Sequence, residues 1–153
     1  MTKLKLGLIA IALATLTSYV SYTEVSQAQH FAQAETHCLA QNIYHEARGE
    51  TVLGQIAVAQ VTLNRLSSGK FQKTICEVVF ANKQFSWTIS KLKTVRDIKA
   101  WQGALNLAHR MLTDKTIRLP DFDATYFHTK QVSPRWKAKK RIVAVIGNHI
   151  FYT

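Results

Sequence analysis

The stretch that decides the fold runs from Cys38 to Arg65 and reads CLAQNIYHEARGETVLGQIAVAQVTLNR. It predicts two helices joined at Gly49, a residue suited to the left-handed conformation that ends many helices. Thr51 can cap the second helix, whose apolar residues recur at helical spacing on nearly every side. A helix that is apolar almost all round is a buried one, so we expect the second helix to be central.

One carboxylic acid stands on the apolar face of the first helix. At about 100° per residue, Glu46 falls on the same stripe as Leu39 and Ile43. Burial raises the pKa of a carboxyl group, and a carboxyl that stays protonated near neutrality can donate a proton to a leaving group. The alternative is a structural glutamate paired with Arg48 or Arg65. Glu46 is therefore the candidate catalytic acid, with its ion pairing left open.

Four segments carry a resemblance to a known family. They are YHEARGE at 44–50, GQIAVAQVTLNR at 54–65, QFSWT at 84–88, and YFHT…PRW…IGNHIFY between 126 and 152. In this order they resemble the cell wall hydrolase family typified by the spore cortex-lytic enzyme SleB, over about residues 38–152. The resemblance implies a lysozyme-like domain that cuts the glycan strands of peptidoglycan, and it maps the family's catalytic acid onto Glu46.

The rest of the chain predicts an α+β fold of about four helices with a small antiparallel sheet near the C-terminus. A third helix should begin near Ile75, after a capping-box pattern, and a fourth should cover about residues 97–113. Residues 82–88 are expected to form a loop or short strand. Strand composition marks three further segments: 124–128, 142–146 and 149–152. Gly147-Asn148 predicts a type II′ hairpin turn between the last two.

The QFSWT and YFHT segments combine amide, hydroxyl and aromatic groups that suit sugar binding. Amides hydrogen-bond hydroxyl groups, and aromatic faces stack on the apolar faces of pyranose rings. We expect them to line a substrate groove with six residues: Gln84, Phe85, Ser86, Trp87, Tyr126 and His128. The alternative for Phe85 and Trp87 is that they simply close the core.

Residues 1–28 have the pattern of a signal peptide. Lys3 and Lys5 precede an apolar core at 6–16, and Ser26-Gln27-Ala28 offers a small-x-small cleavage site. The alternative is an uncleaved membrane anchor. Residues 29–153 would then form one catalytic domain, which we expect to be secreted or periplasmic and to act as a monomer.

The net charge indicates an anionic partner. It is +11 for the whole chain and +10 for residues 29–153, which keep 18 Lys and Arg and eight Asp and Glu. For an exported protein we expect that partner to be peptidoglycan rather than nucleic acid, and a membrane only if the N-terminal segment is uncleaved.

The two cysteines, Cys38 and Cys76, predict a disulfide in an exported protein. It would join the first helix to the start of the third. The alternative is a pair of buried free thiols.

The number of usable carboxylates bears on the mechanism. Glycoside hydrolysis ordinarily needs two carboxylates. The possible partners of Glu46 are Glu50, Asp121 and Asp123, but the sequence pattern of their segments does not place any of them beside Glu46. One acid suffices if the C6 hydroxyl of muramic acid attacks its own anomeric carbon. The resemblance implies this lytic transglycosylase mechanism, without a cofactor or metal.

Two other functions stay open. A metal-dependent wall amidase would have to use His128 and His149, which are too few for a catalytic zinc site without further ligands. The sequence His45-Glu46 does not begin an H-E-x-x-H motif, because residue 49 is glycine. A non-catalytic, basic wall-binding protein is the third possibility.

Overall fold

The computed structural model describes residues 2–82, 84–89 and 94–153, with side chains from Thr23 onward except those of Ser86 and Ile89. The elements in chain order are the helices α1 Thr2–Ala47, α2 Val52–Ser67, α3 Ile75–Phe80, α4 Ser86–Ile89 and α5 Ile98–Thr113, the strand β1 Tyr126–Thr129, a 3-10 helix Arg135–Lys139, and the strands β2 Ile142–Ile146 and β3 His149–Tyr152. The chain divides into two compact units, Met1–Ala34 and Glu35–Thr153. The predicted α+β class is confirmed.

The first unit, residues 1–34, contains the whole of the expected signal peptide, residues 1–28. The side chains of residues 1–22 lie outside the described part of the chain, and residues 27–34, around the predicted cleavage site at Ala28, are exposed. Among the side chains that are described, no helix is both long and apolar enough to cross a membrane.

In the second unit α2 is buried on two sides, as predicted. Ala59 and Leu63 face a cluster shared with α1, α3 and α5, whereas Val58 and Val61 face a second cluster that includes Phe151 of β3. Val52, in the first turn of α2, departs from the expected burial, because the residue is 65% exposed.

The junction between α1 and α2 differs from the expectation at Gly49. Among the described glycines only Gly69 and Gly147 have a positive φ, so Gly49 does not take the left-handed conformation. The turn is closed instead by the Glu50 N–H, which donates to the Ala47 carbonyl at 2.9 Å. Thr51 caps α2 as predicted.

Two contacts tie α1 to the start of α3. Cys38 and Cys76 form the predicted disulfide, with their Cα atoms 5.1 Å apart. The buried carboxylate of Glu35 accepts hydrogen bonds from the N–H groups of Ile75, at 2.6 Å, and Cys76, at 3.2 Å. The predicted capping box of α3 is also present. Glu35 therefore adds a second anchor, because it satisfies N–H groups that a helix start leaves unpaired.

The segment 82–88 was predicted as a loop or short strand, and this is wrong at its end. Ser86–Ile89 is a single helical turn, α4. Both the N–H and the hydroxyl of Thr88 donate to the Phe85 carbonyl, at 3.1 and 2.8 Å. This local bonding favours a turn over an extended chain.

The sheet is antiparallel with the strand order β1-β3-β2. In the pair formed by β1 and β3, Tyr126 lies opposite Tyr152 and His128 lies opposite Ile150. Gly147 has φ +55°, and Asn148 has no positive φ, as the predicted type II′ turn requires.

Polar side chains of α2 hold the segment that leads into β1. The Gln60 amide donates to the Leu119 carbonyl at 3.1 Å. Asn64 donates to the carbonyl of Ala124 at 2.9 Å. The central helix thus sets the position of β1, because these bonds satisfy the backbone of an otherwise irregular segment.

Candidate active site

The last turn of α1 places Glu46 in a cavity of about 270 Å³. This glutamate cavity is lined by Glu46, Arg65, Gln84, Phe85, Phe127, His128, Thr129 and Val132. The lining comes from α1, α2, the segment before α4, and the end of β1 with the residues after it. Glu46 is the only carboxylate in it among the described residues.

Burial raises the pKa of Glu46 above its ordinary value, as the helix pattern predicted. The indole N–H of Trp87 and the charge of Arg65 oppose this rise. No described cation lies within 4.0 Å of the Glu46 carboxylate, so neither predicted ion pair is formed. Arg48 turns away and donates to the Tyr44 carbonyl at 3.3 Å. The structural reading of Glu46 as half of an ion pair is therefore wrong.

Arg65 is the buried cation of the site, with only 3% of its surface exposed. Its Nε donates to the Thr125 carbonyl at 2.7 Å. Its Nη1 and Nη2 donate to the amide oxygen of Gln84 at 2.7 and 3.2 Å, in the amide orientation that hydrogen bonding requires. Burial lowers the pKa of Arg65 to about 10, so it stays charged at neutral pH. Its donors are directed to neutral oxygens, which leaves the Glu46 carboxyl free to bind a proton.

His128 lines the cavity with both ring nitrogens engaged. Nδ1 lies 2.8 Å from the Thr129 carbonyl, which can only accept, so Nδ1 carries the proton. Nε2 then accepts from the Tyr152 hydroxyl at 2.9 Å. His149 is 2% exposed, and burial lowers its pKa. Within the described part of the chain no group of three or more His, Cys, Asp or Glu could hold a metal ion.

The six residues expected in the groove do not all reach the same place. Gln84, Phe85 and His128 line the glutamate cavity. Tyr126 lines a neighbouring cavity of about 550 Å³. Trp87 is in the core with 3% exposure, where it stacks with His45 at a centroid distance of 4.4 Å. The side chain of Ser86 lies outside the described residues.

The possible second carboxylates are engaged or exposed elsewhere. Glu50 accepts from the backbone N–H and the side-chain amide of Asn148, at 3.2 and 3.1 Å, and so holds the β2–β3 turn. Asp123 pairs with Arg141 at 3.0 Å, and Asp121 is exposed with φ +52°. None of the three lines the glutamate cavity.

Four residues of the cavity were not predicted as site residues: Arg65, Phe127, Thr129 and Val132. An arginine on a helix expected to be buried was a usable signal, because a buried guanidinium needs nearby acceptors. Alternation along β1 argued against Phe127 and Thr129, since they point to the opposite face from His128. The cavity lies at the end of the strand and draws on both faces.

A family model described as Cell Wall Hydrolase matches residues 49–152. The chain belongs to the cell wall hydrolase family. The match covers α2 and all elements that follow it, and it begins three residues after Glu46.

Named relatives of this cell wall hydrolase agree with the family match. The spore cortex-lytic enzyme of Oceanobacillus iheyensis is 32% identical over 129 residues, 83% of this chain and 44% of that protein. The spore cortex-lytic enzyme of Bacillus cereus is 29% identical over 126 residues, 79% of this chain and 45% of that protein. The chain therefore spans less than half the length of the curated relatives it matches.

The fold is that of the SleB catalytic domain, which is lysozyme-like. The catalytic domain of the germination-specific lytic transglycosylase SleB from Bacillus anthracis matches with a TM-score of 0.63 and 28% identity. The match covers 78% of this chain and 93% of that domain.

Proposed function

We propose that this cell wall hydrolase cleaves the glycan strand of peptidoglycan between N-acetylmuramic acid and N-acetylglucosamine as a lytic transglycosylase, with Glu46 as its one catalytic acid. The observation that carries the proposal is the glutamate cavity, in which Glu46 is the only carboxylate among the described residues and has a raised pKa. The SleB catalytic domain, named a lytic transglycosylase, supports the same chemistry by its similarity.

The reaction needs one group that first gives and then takes a proton. The Glu46 carboxyl donates its proton to the glycosidic oxygen as the bond from that oxygen to C1 of muramic acid breaks. The C6 hydroxyl of the same sugar attacks C1, and its proton passes to the Glu46 carboxylate. The product is a 1,6-anhydro sugar, no water is consumed, and the acid is restored. The attacking group belongs to the bound sugar, which gives it an entropic advantage over an external nucleophile.

The neighbouring groups support this double role. The Trp87 indole N–H faces the carboxyl closely enough to lower its pKa, although its Nε1 atom is buried without a hydrogen-bond partner of ordinary geometry. Together with the Arg65 charge it favours the ionised form, against the burial that favours the protonated one. These opposing effects suit a group that must exist in both forms during one turnover.

The alternatives have less support. A metal-dependent amidase would need His128, but both of its ring nitrogens are already hydrogen-bonded and the described residues offer no set of three ligands. A non-catalytic wall-binding protein would not need a buried, unpaired carboxyl in a cavity, because such a group costs stability.

Mass spectrometry of the fragments released from purified peptidoglycan tests the proposal. An anhydro end is one water lighter than a reducing end, and we expect anhydro ends to dominate. A digest dominated by reducing ends would show hydrolysis, and fragments that differ by loss of the peptide would show an amidase.

The matching variant is Glu46→Gln, which keeps the shape of the side chain and removes its proton. We expect it to lower the rate of lysis by about 10²–10⁴-fold, the typical worth of general acid catalysis. Asp121→Asn makes the same change at an exposed site that lines neither cavity, and it should leave the rate unchanged. Near-normal activity of Glu46→Gln, or loss of activity in Asp121→Asn, would show that Glu46 is not the catalytic acid.

We further propose that the protein acts outside the cytoplasmic membrane, as a monomer, after removal of residues 1–28. The substrate lies there, and the predicted cleavage site at Ala28 precedes the compact unit that begins at Glu35.

A further inference from the structure

A second cavity, of about 550 Å³, lies beside the glutamate cavity. We call it the lysine cavity; it is lined by Asn64, Ser67, Ser68, Lys70, Phe71, Asp123, Thr125, Tyr126, Lys140 and Thr153. Arg65, which lines the glutamate cavity, lies against residues of both cavities. Its guanidinium carbon is 5.5 Å from the ring centroid of Phe71 and 5.9 Å from that of Tyr126 on one side, and 5.7 Å from that of Phe85 in the glutamate cavity.

The lysine cavity carries two unpaired positive charges. The Lys140 ammonium lies 3.7 Å from the centroid of the Tyr126 ring, a cation–π contact that holds the charge at the cavity wall. Lys70 lines the same cavity, directly after the turn at Gly69. Neither lysine forms an ion pair among the described residues. The one carboxylate of the lining, Asp123, is already paired with Arg141.

We infer that the lysine cavity binds the carboxylates of the peptide stem carried by the muramic acid residue next to the cleaved bond. The inference rests on the proposed function and extends it to the part of the substrate that flanks the glycan. Lys70 and Lys140 are the groups that bind the stem, and the walls of the cavity limit the segment to a few residues.

Position and size favour a stem over a separate anionic polymer. A stem is linked to the sugar that reacts at Glu46, and a peptide extends about 3.3–3.6 Å per residue, so two or three residues reach about 10 Å. Arg65 lines the glutamate cavity and its guanidinium lies against Phe71 and Tyr126 of the lysine cavity, so a segment of that length can reach from one cavity to the other. A wall polymer that is not joined to the glycan strand is not held near this cavity by the bound sugar.

The test compares two substrates, glycan strands with intact stems and strands from which an amidase has removed the stems. The variant is Lys70→Gln/Lys140→Gln in the full chain, and the measurement is kcat and KM on each substrate. We expect KM for stem-bearing strands to rise roughly twofold to thirtyfold, the loss expected when two exposed ion pairs are removed. On bare strands both constants should match the unaltered protein.

The matched control is Lys99→Gln/Lys115→Gln, which removes the same charge from the first turn of α5 and from the segment just after its end; neither residue lines either cavity. It should leave both substrates unaffected, and Lys70→Arg/Lys140→Arg should restore the KM for stem-bearing strands.

Equal losses on both substrates, equal losses in the control, or no loss at all would overturn the inference. Competition by a phosphodiester wall polymer, with no difference between the two strands, would assign the cavity to that polymer instead. If the unaltered protein cleaves neither substrate, the proposed function fails, and the stem site with it.

Discussion

At the scale of single residues, the position of Glu46 lowers the stability of the folded chain. Its carboxyl lies in a partly buried cavity without an ion pair, and the nearest cation, Arg65, directs its donors to Thr125 and Gln84. A buried carboxyl without a cation resists ionisation, which destabilises the folded chain whenever the pH forces that ionisation. The same property makes it a usable acid near neutrality.

Glu46→Gln should therefore stabilise the protein at neutral pH. The folded-state pKa of Glu46 lies above the ordinary value of 4.5, so the folded state holds the proton more tightly than the unfolded state. The glutamate then loses stability as the pH rises from about 4.5 through its folded pKa, whereas glutamine does not. We expect the variant to have the higher Tm at pH 7 and an equal Tm below pH 4. Thermal unfolding at the two pH values measures this, and an advantage that is the same at both would contradict it.

The sequence left the role of Glu50 open, and the structure gives it contacts with the turn between β2 and β3. It was a possible second carboxylate, but it contacts both the backbone and the side chain of Asn148. A Cβ atom at Gly147 would collide with the Glu50 carboxylate, and one at Gly54 would lie 2.9 Å from the Glu50 Cβ. Only the tertiary fold brings these residues together, since 98 positions separate Glu50 from Asn148.

At the scale of elements, the turn between β2 and β3 depends on this contact. Gly147→Ala should lower the free energy of unfolding by at least about 1–2 kcal/mol, the cost of a left-handed conformation for a residue with a Cβ. The collision with Glu50 adds to it. Urea unfolding measures the change.

Gly103→Ala is the control for that prediction. Gly103 lies in α5 with nothing within 4 Å of an added Cβ. There alanine should stabilise by about 0.5–1 kcal/mol, because it reduces the entropy lost on forming the helix. Equal effects of the two substitutions would mean that the turn does not need glycine at 147.

The contact between α1 and α3 sets the direction of the helix that carries Glu46. The disulfide lies two turns before Glu46, and the Glu35 carboxylate binds the first N–H groups of α3 independently of it. We therefore expect α3 to stay docked when the disulfide is absent.

Cys38→Ser/Cys76→Ser should cost about 3–4 kcal/mol of unfolding free energy, on the entropy model for a loop of this length. The fold should persist, with the far-ultraviolet circular dichroism of the parent, because the Glu35 contacts remain. Alkylation of the unreduced parent followed by intact-mass analysis should find no free thiol. Two alkylated cysteines, or a double variant as stable as the parent, would refute the role of the bridge.

At the scale of the whole molecule, the net charge of +10 carried by residues 29–153 should govern adsorption to the wall. The Glu46→Gln protein should bind peptidoglycan sacculi without lysing them, and binding should weaken steeply between about 0.01 and 0.15 M salt as the screening length shortens from about 30 to 8 Å. A sedimentation assay measures it. Sacculi with amidated carboxylates are the control, and equal binding to both would contradict an electrostatic origin.

Much of this protein was determined by the sequence itself. The cap at Thr51 and the capping box of α3 follow from local spacing and residue type, and both are present. Gly147 has the positive φ expected at the first position of its turn. The stripe that carries Glu46 also follows from spacing, because a helix converts a three- or four-residue interval into a shared face. These features need only short-range geometry, whereas the disulfide, which is also present, was predicted from the even number of cysteines in a chain expected to be exported.

The tertiary structure decided what surrounds Glu46. It turned Arg65 towards Thr125 and Gln84, put Trp87 in the core while Phe85 lines the cavity, and engaged Glu50 and Asp123 elsewhere. Which group a charged side chain contacts depends on distances and burial in the folded chain. The groups that could be its partner lie tens of positions apart in the sequence. Local patterns could therefore identify the acid, but the absence of a second carboxylate beside it depended on how the segments pack.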